Sequence, residues 1–469
     1  MHLRLLLVGG AVLALTACGG SKQQASGAAA SRVGGNWARF GYDAARSNSG
    51  PARTGITAAN VGKLRRQQVR LPGTADSSPI YLRGVRVRGR RHDVFFLTTS
   101  YGITVAVDAR SGKILWRFKP RGYASWAGSD QITNSSPIAD PSRRYVYAEA
   151  PNGRVYKLTV ARGAVAWSVS ITKLPTREKL GTALNLSRGL VIATTGGYIG
   201  DAPPYQGHVV AISPRGRIVH VWNSLCSDRH RLIVPSSCPQ SDSAIWARSG
   251  AVVVPRSGNL LVATGNARFD GRLYWGDSAL MLSPNASRLL RNWTPRNHEE
   301  LNSGDVDLGS TAPAILGRTL AAQSGKDGLI RLLRLPQLGG RLGRTGGELQ
   351  TISAPGGSGV FSTMAVSRGR LFVGNDAGVW CYELSGGRVQ VAWRRNEAGT
   401  SPVVAGGLLY AYNPNGGLNV LNPATAAVVA RLPAGSGHWE SPIVTDGRIA
   451  LPEGDANDHR TSGILNIYR

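Results

Sequence analysis

The stretch VFFLTTSYGITVAVDARSGKILWRF, residues 94–118, reads as three short strands separated by two turns. Its apolar runs are β-branched and aromatic, the residue types that pack well on a pleated surface. Between the second and third runs, the Asp108 carboxylate can bond the turn backbone and Gly112 can supply a positive φ, which makes a tight turn the natural reading. Trp116 follows, a wide ring suited to lying against a neighbouring unit. The stretch LFVGNDAGVWCYELSGGRVQVAWRR, residues 371–395, repeats the same order. Self-similarity then extends along the chain. A small or hydroxyl residue, often followed by Pro and an apolar residue, recurs at Ser77, Ser135, Thr182, Ser243, Ser310, Ser362 and Thr400, and again beside Glu440, giving eight starts. Each unit is a four-stranded meander of about 40 to 60 residues, the size of a propeller blade.

The final unit, SPIVTDGRIALPEGDANDHRTSGILNIYR, ends after its third strand, and residues 61–71 (VGKLRRQQVRL) offer the missing one. The sequence therefore predicts an all-β fold, an eight-bladed propeller of four-stranded antiparallel blades occupying residues 36–469. Pairing of N- and C-terminal strands closes the ring and removes an aggregation-prone edge. Trp167, Trp222, Trp293 and Trp393 fall where Trp116 does in its unit, a repetition expected of inter-blade packing rather than of a sugar-stacking set. With 60 Gly and 25 Pro, turns are frequent and long helices scarce.

The start of the chain sets location. MHLRLLLVGGAVLALTACGG has a short basic beginning, an apolar run from Leu5 to Leu15 and small residues before a cysteine, the layout of an export signal over residues 1–17. LTAC resembles the lipobox of bacterial lipoproteins, which implies a lipidated Cys18. Residues 18–35, rich in Gly, Ala and Ser, read as a flexible tether. An exported protein anchored on the extracytoplasmic side meets oxidising conditions. Cys226 and Cys238 share one polar loop and are expected to pair, leaving Cys381 as a buried thiol; His230 and Asp228 beside them supply too few ligands for a metal site. The formal charge of +28 favours association with anionic surfaces such as headgroups or acidic wall polymers. No Lys/Arg block interleaved with aromatics appears, so nucleic acid is not expected as a partner. A monomer is expected, with envelope proteins or anionic polymers as partners.

AVDARSGKILW resembles the tryptophan-docking repeat of the pyrroloquinoline quinone (PQQ) dehydrogenase superfamily, and the resemblance runs over residues 36–469. The superfamily also contains propellers without quinone, including the lipoprotein component of the outer-membrane β-barrel assembly machinery. The resemblance implies a PQQ and calcium site. In it Asn266, in TGN, would help hold calcium and Trp246 would form the floor under the planar cofactor. Asp307, in GDVDLGSTAPAI, would be the catalytic base with Asp305 as neighbouring carboxylate, and Lys326 would face the quinone oxygens. A hard cation normally takes a carboxylate as well. The expected glutamate is missing before GHVVAI, where Asp201 is the nearest acid. The adjacent cysteine pair of many alcohol dehydrogenases is absent too, as is any CxxCH for an attached haem. Two readings follow: a cell-envelope binding or scaffold propeller descended from quinoprotein dehydrogenases, or a PQQ- and calcium-dependent dehydrogenase of an alcohol or sugar with Asp201 in place of the glutamate.

Overall fold

The structure, a computed structural model, describes residues 34–469; the leader at 1–17, Cys18 and most of the tether lie outside the described residues. Eight four-stranded antiparallel sheets follow one another, beginning at Ile80, Ile138, Asn185, Val252, Ala314, Ala365, Thr400 and Ile443. We number these blades 1 to 8. The units quoted above map onto them directly. In blade 1 the strands are Ile80–Val87, Arg90–Thr98, Thr104–Asp108 and Ile114–Phe118. The third is buried at every residue, whereas the outermost buries only Trp116 fully and exposes Arg117, because its second face meets water. A two-stranded ribbon, Glu178–Lys179 with Gly196–Gly197, is added beside blade 3. Among the described residues no helix is long and apolar enough to cross a membrane.

Blade stacking follows the tryptophans. Trp116 Nε1 donates to the Val160 carbonyl at 2.8 Å, and a Cβ on Gly163 would lie 2.6 Å from its ring, so the turn of the next blade must carry glycine there. Trp167 repeats the arrangement on Pro214 and Gly216, and Trp393 donates to the Pro423 carbonyl at 3.1 Å. Trp293 donates to Glu348, and Trp222 is sealed among Leu280, Leu282 and Ala286. Where tryptophan is missing, glutamine can make the bridge. Gln350 Nε2 reaches the Val389 carbonyl from blade 5, and Gln67 Nε2 reaches the Ser111 carbonyl from blade 8, each at 2.7 Å.

Gln67 belongs to the closing strand. Arg66–Leu71 pairs antiparallel with Gly463–Tyr468, Arg66 opposite Tyr468 and Leu71 opposite Gly463, and so completes blade 8. The strand is shorter than residues 61–71, since Val61–Lys63 is a 3-10 turn that buries Val61. The first strand of blade 4 likewise departs from expectation. It is Val252–Val253, and SAIW is an irregular approach to it.

Consecutive antiparallel strands put alternate turns on opposite faces of the ring. Loops between blades and turns between second and third strands form one face, called here the mouth face; turns after first and third strands form the hairpin face. Residues 34–56 cross the hairpin face and bond to successive inner strands, with Trp37 and Tyr81 exchanging hydrogen bonds and Ala44, Ser47 and Asn48 accepting from Val253, Val366 and Val404. Arg46 leaves this arm for the interior. Its guanidinium, 2% exposed, donates to the carbonyls of Phe40, Ala183, Leu184 and Ser249, and burial followed by Arg39's charge lowers its pKa to about 9. The arm therefore stoppers one end of the axial channel with a hydrogen-bonded cation, which nothing in the repeat pattern announced. Charge is segregated between the faces. Hairpin turns carry exposed arginines such as Arg88, Arg144, Arg188, Arg256, Arg318 and Arg368, while most of the 27 acidic residues occupy mouth-face loops.

Deleting residues 61–71 should leave the Gly463–Tyr468 edge unpaired and abolish a cooperative melt. Gln67→Ala, which keeps the strand and removes one bridge, should cost about 1 kcal/mol. Circular-dichroism melting of both proteins separates the two effects, and an unchanged melt for the deletion would refute closure by this strand.

Candidate functional site

Each interblade loop delivers its last residues to the axis at the mouth face, because the innermost strand of a blade begins there. Three of these deliveries are aromatic. Trp246 before blade 4, Phe361 before blade 6 and Trp439 before blade 8 are half-buried. The Phe361 and Trp439 rings stack with centroids 5.2 Å apart, and Trp246 lies 6.0 Å from Trp439 and 6.2 Å from Phe361. His438 stacks on the other side of this group, 3.8 Å from Trp439. Blades 4 and 8 are diametrically opposed in a ring of eight, so these rings meet across the channel.

An ion-pair network spans the same diameter. Arg248, two residues after Trp246, places Nη2 2.5 Å from Asp76 Oδ1 and 3.1 Å from His438 Nδ1 while its Nη1 donates to the Asp76 carbonyl. Asp76 Oδ2 also accepts from Asn134 Nδ2 at 2.6 Å and from the Ala456 N–H at 3.2 Å and lies 2.9 Å from His438 Nδ1. Burial alone would raise the Asp76 pKa; Arg248 and His438 outweigh it and hold the carboxyl at about 2. Glu440 takes the opposite course. Fully buried, with one oxygen accepting from the His438 N–H at 2.7 Å and the other without a partner, it is pushed well above the carboxylate range by burial and then by the charge of Asp76. Lys179, from the ribbon, is lowered to about 8 by burial and the neighbouring Arg248. Apart from Glu440, which marks the eighth repeat start, none of these residues stood out in the sequence. The only signal was positional, each lying shortly before a blade start.

The residues singled out from the sequence occupy the next sector of the mouth. Lys326, in the turn between the second and third strands of blade 5, places Nζ 2.5 Å from Asp307 Oδ2, 2.9 Å from Asp305 Oδ1 and 5.8 Å from the Trp246 ring centre. Asp307 Oδ1 accepts from the Asn266 N–H at 2.8 Å, so both its oxygens are engaged. Burial raises Asp307 against the pull of Lys326, whose own pKa is also raised, its burial outweighed by Asp307. A Cβ on Gly265 would sit 2.0 Å from Asp307 Oδ1, so the TGN turn requires glycine for the carboxylate to approach. The Asn266 side chain makes no hydrogen bond among the described residues and is half-exposed. Asp201 stands apart, exposed on a loop with Oδ1 accepting from Tyr205 at 2.7 Å. Asp242, half-buried and raised by burial, is electrostatically coupled to both Asp201 and Asp307 and had not been singled out. Cys226 and Cys238 form a disulfide in the loop before Trp246, and Cys381 is a buried free thiol.

Calcium beside a quinone would need converging oxygen ligands. The only group of three acidic, histidine or cysteine side chains whose ligand atoms converge among the described residues is Asp76, His438 and Asp455, and Arg248 already supplies its cation. Asp201, Asp305 and Asp307 form no such group. Lys326 is neutralised by two carboxylates and Trp246 faces Phe361 and Trp439 as well as Lys326, so Asp305 and Asp307 are committed to Lys326 rather than offered to a calcium ion.

The network has a pH signature. Asp76 lies near 2 when folded against an ordinary 3.8, so its contribution of about 2 kcal/mol is present above pH ~4 and lost as pH falls towards 2. Glu440 has the reverse sign, since the folded state holds a proton that the unfolded state releases above the ordinary 4.5. Glu440→Gln should therefore raise the melting temperature at pH 8 and leave it unchanged at pH 3. Asp76→Asn should lower it at pH 7, with the difference fading towards pH 2. Equal effects at all pH values would sink both assignments.

Comparison with known proteins follows the same lines. The family profile described as outer membrane protein assembly factor BamB matches residues 24–231. The dehydrogenase subunit of the quinone-dependent alcohol dehydrogenase of Komagataeibacter europaeus is 27% identical over 174 residues, 35% of this chain and 22% of that relative, so the match spans only about a fifth of its length. Quinohemoprotein alcohol dehydrogenase from Comamonas testosteroni superposes with a TM-score of 0.68 over 92% of this chain and 80% of its own, at 15% identity. BamB from Moraxella catarrhalis gives 0.55 over 86% and 98%, at 12% identity. Those identities speak to fold alone. The blade repeat, the tryptophan docking and these matches together show a PQQ-like β-propeller fold, with sequence similarity to the BamB profile over residues 24–231.

Proposed function

We propose that this protein is an exported, cell-envelope binding propeller that has kept the scaffold of the quinoprotein dehydrogenases without their turnover. The observation that carries the reading is the state of Asp307. A general base needs a free oxygen facing the proton it takes, whereas one Asp307 oxygen is held by the Asn266 N–H and the other by Lys326. Asp201, which would have to replace the missing glutamate ligand, is spent on Tyr205. What remains at the mouth is an aromatic lining of Trp246, Phe361 and Trp439 with Lys179 beside the Arg248 network, suited to holding a partner group by stacking and charge. Export with a lipid anchor at Cys18 agrees with the lipobox-like LTAC and with the BamB family match.

A second reading keeps a specific observation in its favour. Trp246, Asn266, Asp307 and Lys326, four positions that the dehydrogenase pattern would use, gather in one sector of the mouth. Titration of the purified protein with PQQ, with and without calcium, distinguishes the two. The binding reading expects no calcium-dependent affinity and no dye reduction with any alcohol or sugar. Saturable, calcium-dependent quinone binding that Asn266→Ala weakens, with turnover that Asp307→Asn lowers by about 10² to 10⁴, would overturn it. Separately, Gly265→Ala should push Asp307 off Asn266 and cost about 1–3 kcal/mol, read by thermal melting.

A further inference from the structure

A cluster of exposed arginines lies where the described chain begins. Blade 1 opens with an unusually long hairpin, Ile80–Val87 and Arg90–Thr98, whose tip carries Arg86, Arg88, Arg90 and Arg91, all exposed. The first turn of blade 2 lies against its base. Arg143 of that turn donates to the Arg83 carbonyl, and the Arg88 N–H at the tip donates to the Ala161 carbonyl in the turn between the third and fourth strands of blade 2, so Arg143 and Arg144 extend the same patch. None of these six arginines forms an ion pair among the described residues; the nearest pairs are those of Arg83 and Arg448 with Asp446 and Asp93. Leaving six guanidinium groups unpaired on one ridge keeps self-repulsion that a neutral surface would avoid, and an anionic counter-surface would relieve it.

The start of the described chain lies on the same ridge. Gly35 N donates to Thr445 Oγ1 at 3.1 Å, and Asn36 Oδ1 accepts from the Arg83 N–H at 2.9 Å, so the arm begins between blades 8 and 1 beside the hairpin. Cys18 is 34 − 18 = 16 residues from Gly34, a reach of at most about 55 Å when extended. Residues 34–36, where any such tether would join the propeller, lie on the hairpin face.

We propose that the arginine ridge of blades 1 and 2 docks on the anionic headgroups of a lipid bilayer, acting as an electrostatic second contact that turns the mouth away from the membrane. A polybasic patch adds attraction with each basic residue close to an anionic bilayer, and the geometry here supplies that patch at the tether's root. The proposal is independent of what the mouth binds, and it holds with or without lipid on Cys18.

Vesicle co-sedimentation of the full chain tests it. Parent protein and the variant R86E/R88E/R90E/R91E are compared on phosphatidylcholine vesicles with and without about 30% phosphatidylglycerol, so that leader and tether contribute equally to both proteins. The parent should bind the anionic vesicles more tightly, with the excess falling at high salt. The reversed variant should lose at least about tenfold of that affinity, whereas R231E/R268E/R272E on the mouth face should lose little. Thermal melts check that both variants fold, and the milder R88Q/R90Q should fall between. Equal binding of parent and hairpin variant to anionic vesicles would overturn the proposal. So would displacement of the parent from those vesicles by soluble polyglycerol phosphate at matched phosphate concentration, which would reassign the ridge to a wall polymer.

Discussion

A propeller is held together by one pairing that its local sequence cannot supply. Every blade but the last forms from consecutive strands, and the last depends on Arg66–Leu71 meeting Gly463–Tyr468 across nearly the whole chain. Six backbone pairs close the ring, and the C-terminal strand Gly463–Tyr468 becomes an interior strand, with Arg66–Leu71 as the outermost strand of the blade. The position of the arm follows from this closure. Because the closing strand leads directly into blade 1, residues 34–56 are left on the hairpin face, where they visit the inner strands and lodge Arg46 in the axis. The inter-blade contacts are then uniform in purpose and varied in chemistry, with tryptophan at several joints and glutamine at others.

Closure also determines what the mouth can be. Eight loops converge on a narrow axis, and here blades 4, 6 and 8 send in Trp246, Phe361 and Trp439 while Arg248 reaches Asp76 and His438 from the opposite side. Such a diameter-spanning pair is costly to desolvate, and it is retained because Asp76 is satisfied on both oxygens. The mouth is thus braced by the chain's own charges. A cofactor site and a binding surface can differ by only a few side chains on such a scaffold, which is why the fold shared with quinohemoprotein alcohol dehydrogenase and BamB leaves function to be argued from the site.

The faces divide the work. Most acidic residues gather with the aromatic lining on the mouth face, where they offset its arginines, whereas the arginines of the hairpin turns meet few acids. A disc with one basic face has a preferred orientation near any anionic surface, and the tether leaves from that face.

Fold class was legible in the sequence because blade strands are local: alternating apolar runs, Asp and Gly turns and a recurring tryptophan each report on residues a few positions away. The closing strand could be anticipated as well, from a final unit one strand short, though its start shifted from Val61 to Arg66 because residues 61–63 turn before the strand begins. The likeness of Trp246, Asn266, Asp307 and Lys326 to a family pattern was readable too, and these residues do gather in one sector of the mouth. Their chemical state was not. Whether Asp307 is free or held, and whether Asp201 comes near Asn266, depends on loops from different blades meeting at the axis. Asp76, Arg248, His438 and Glu440 are separated by up to 364 positions, from Asp76 to Glu440, and have no motif. Only closure of the ring places them together, since an ion pair across a diameter is set by the circumference of the whole fold and by no segment within it.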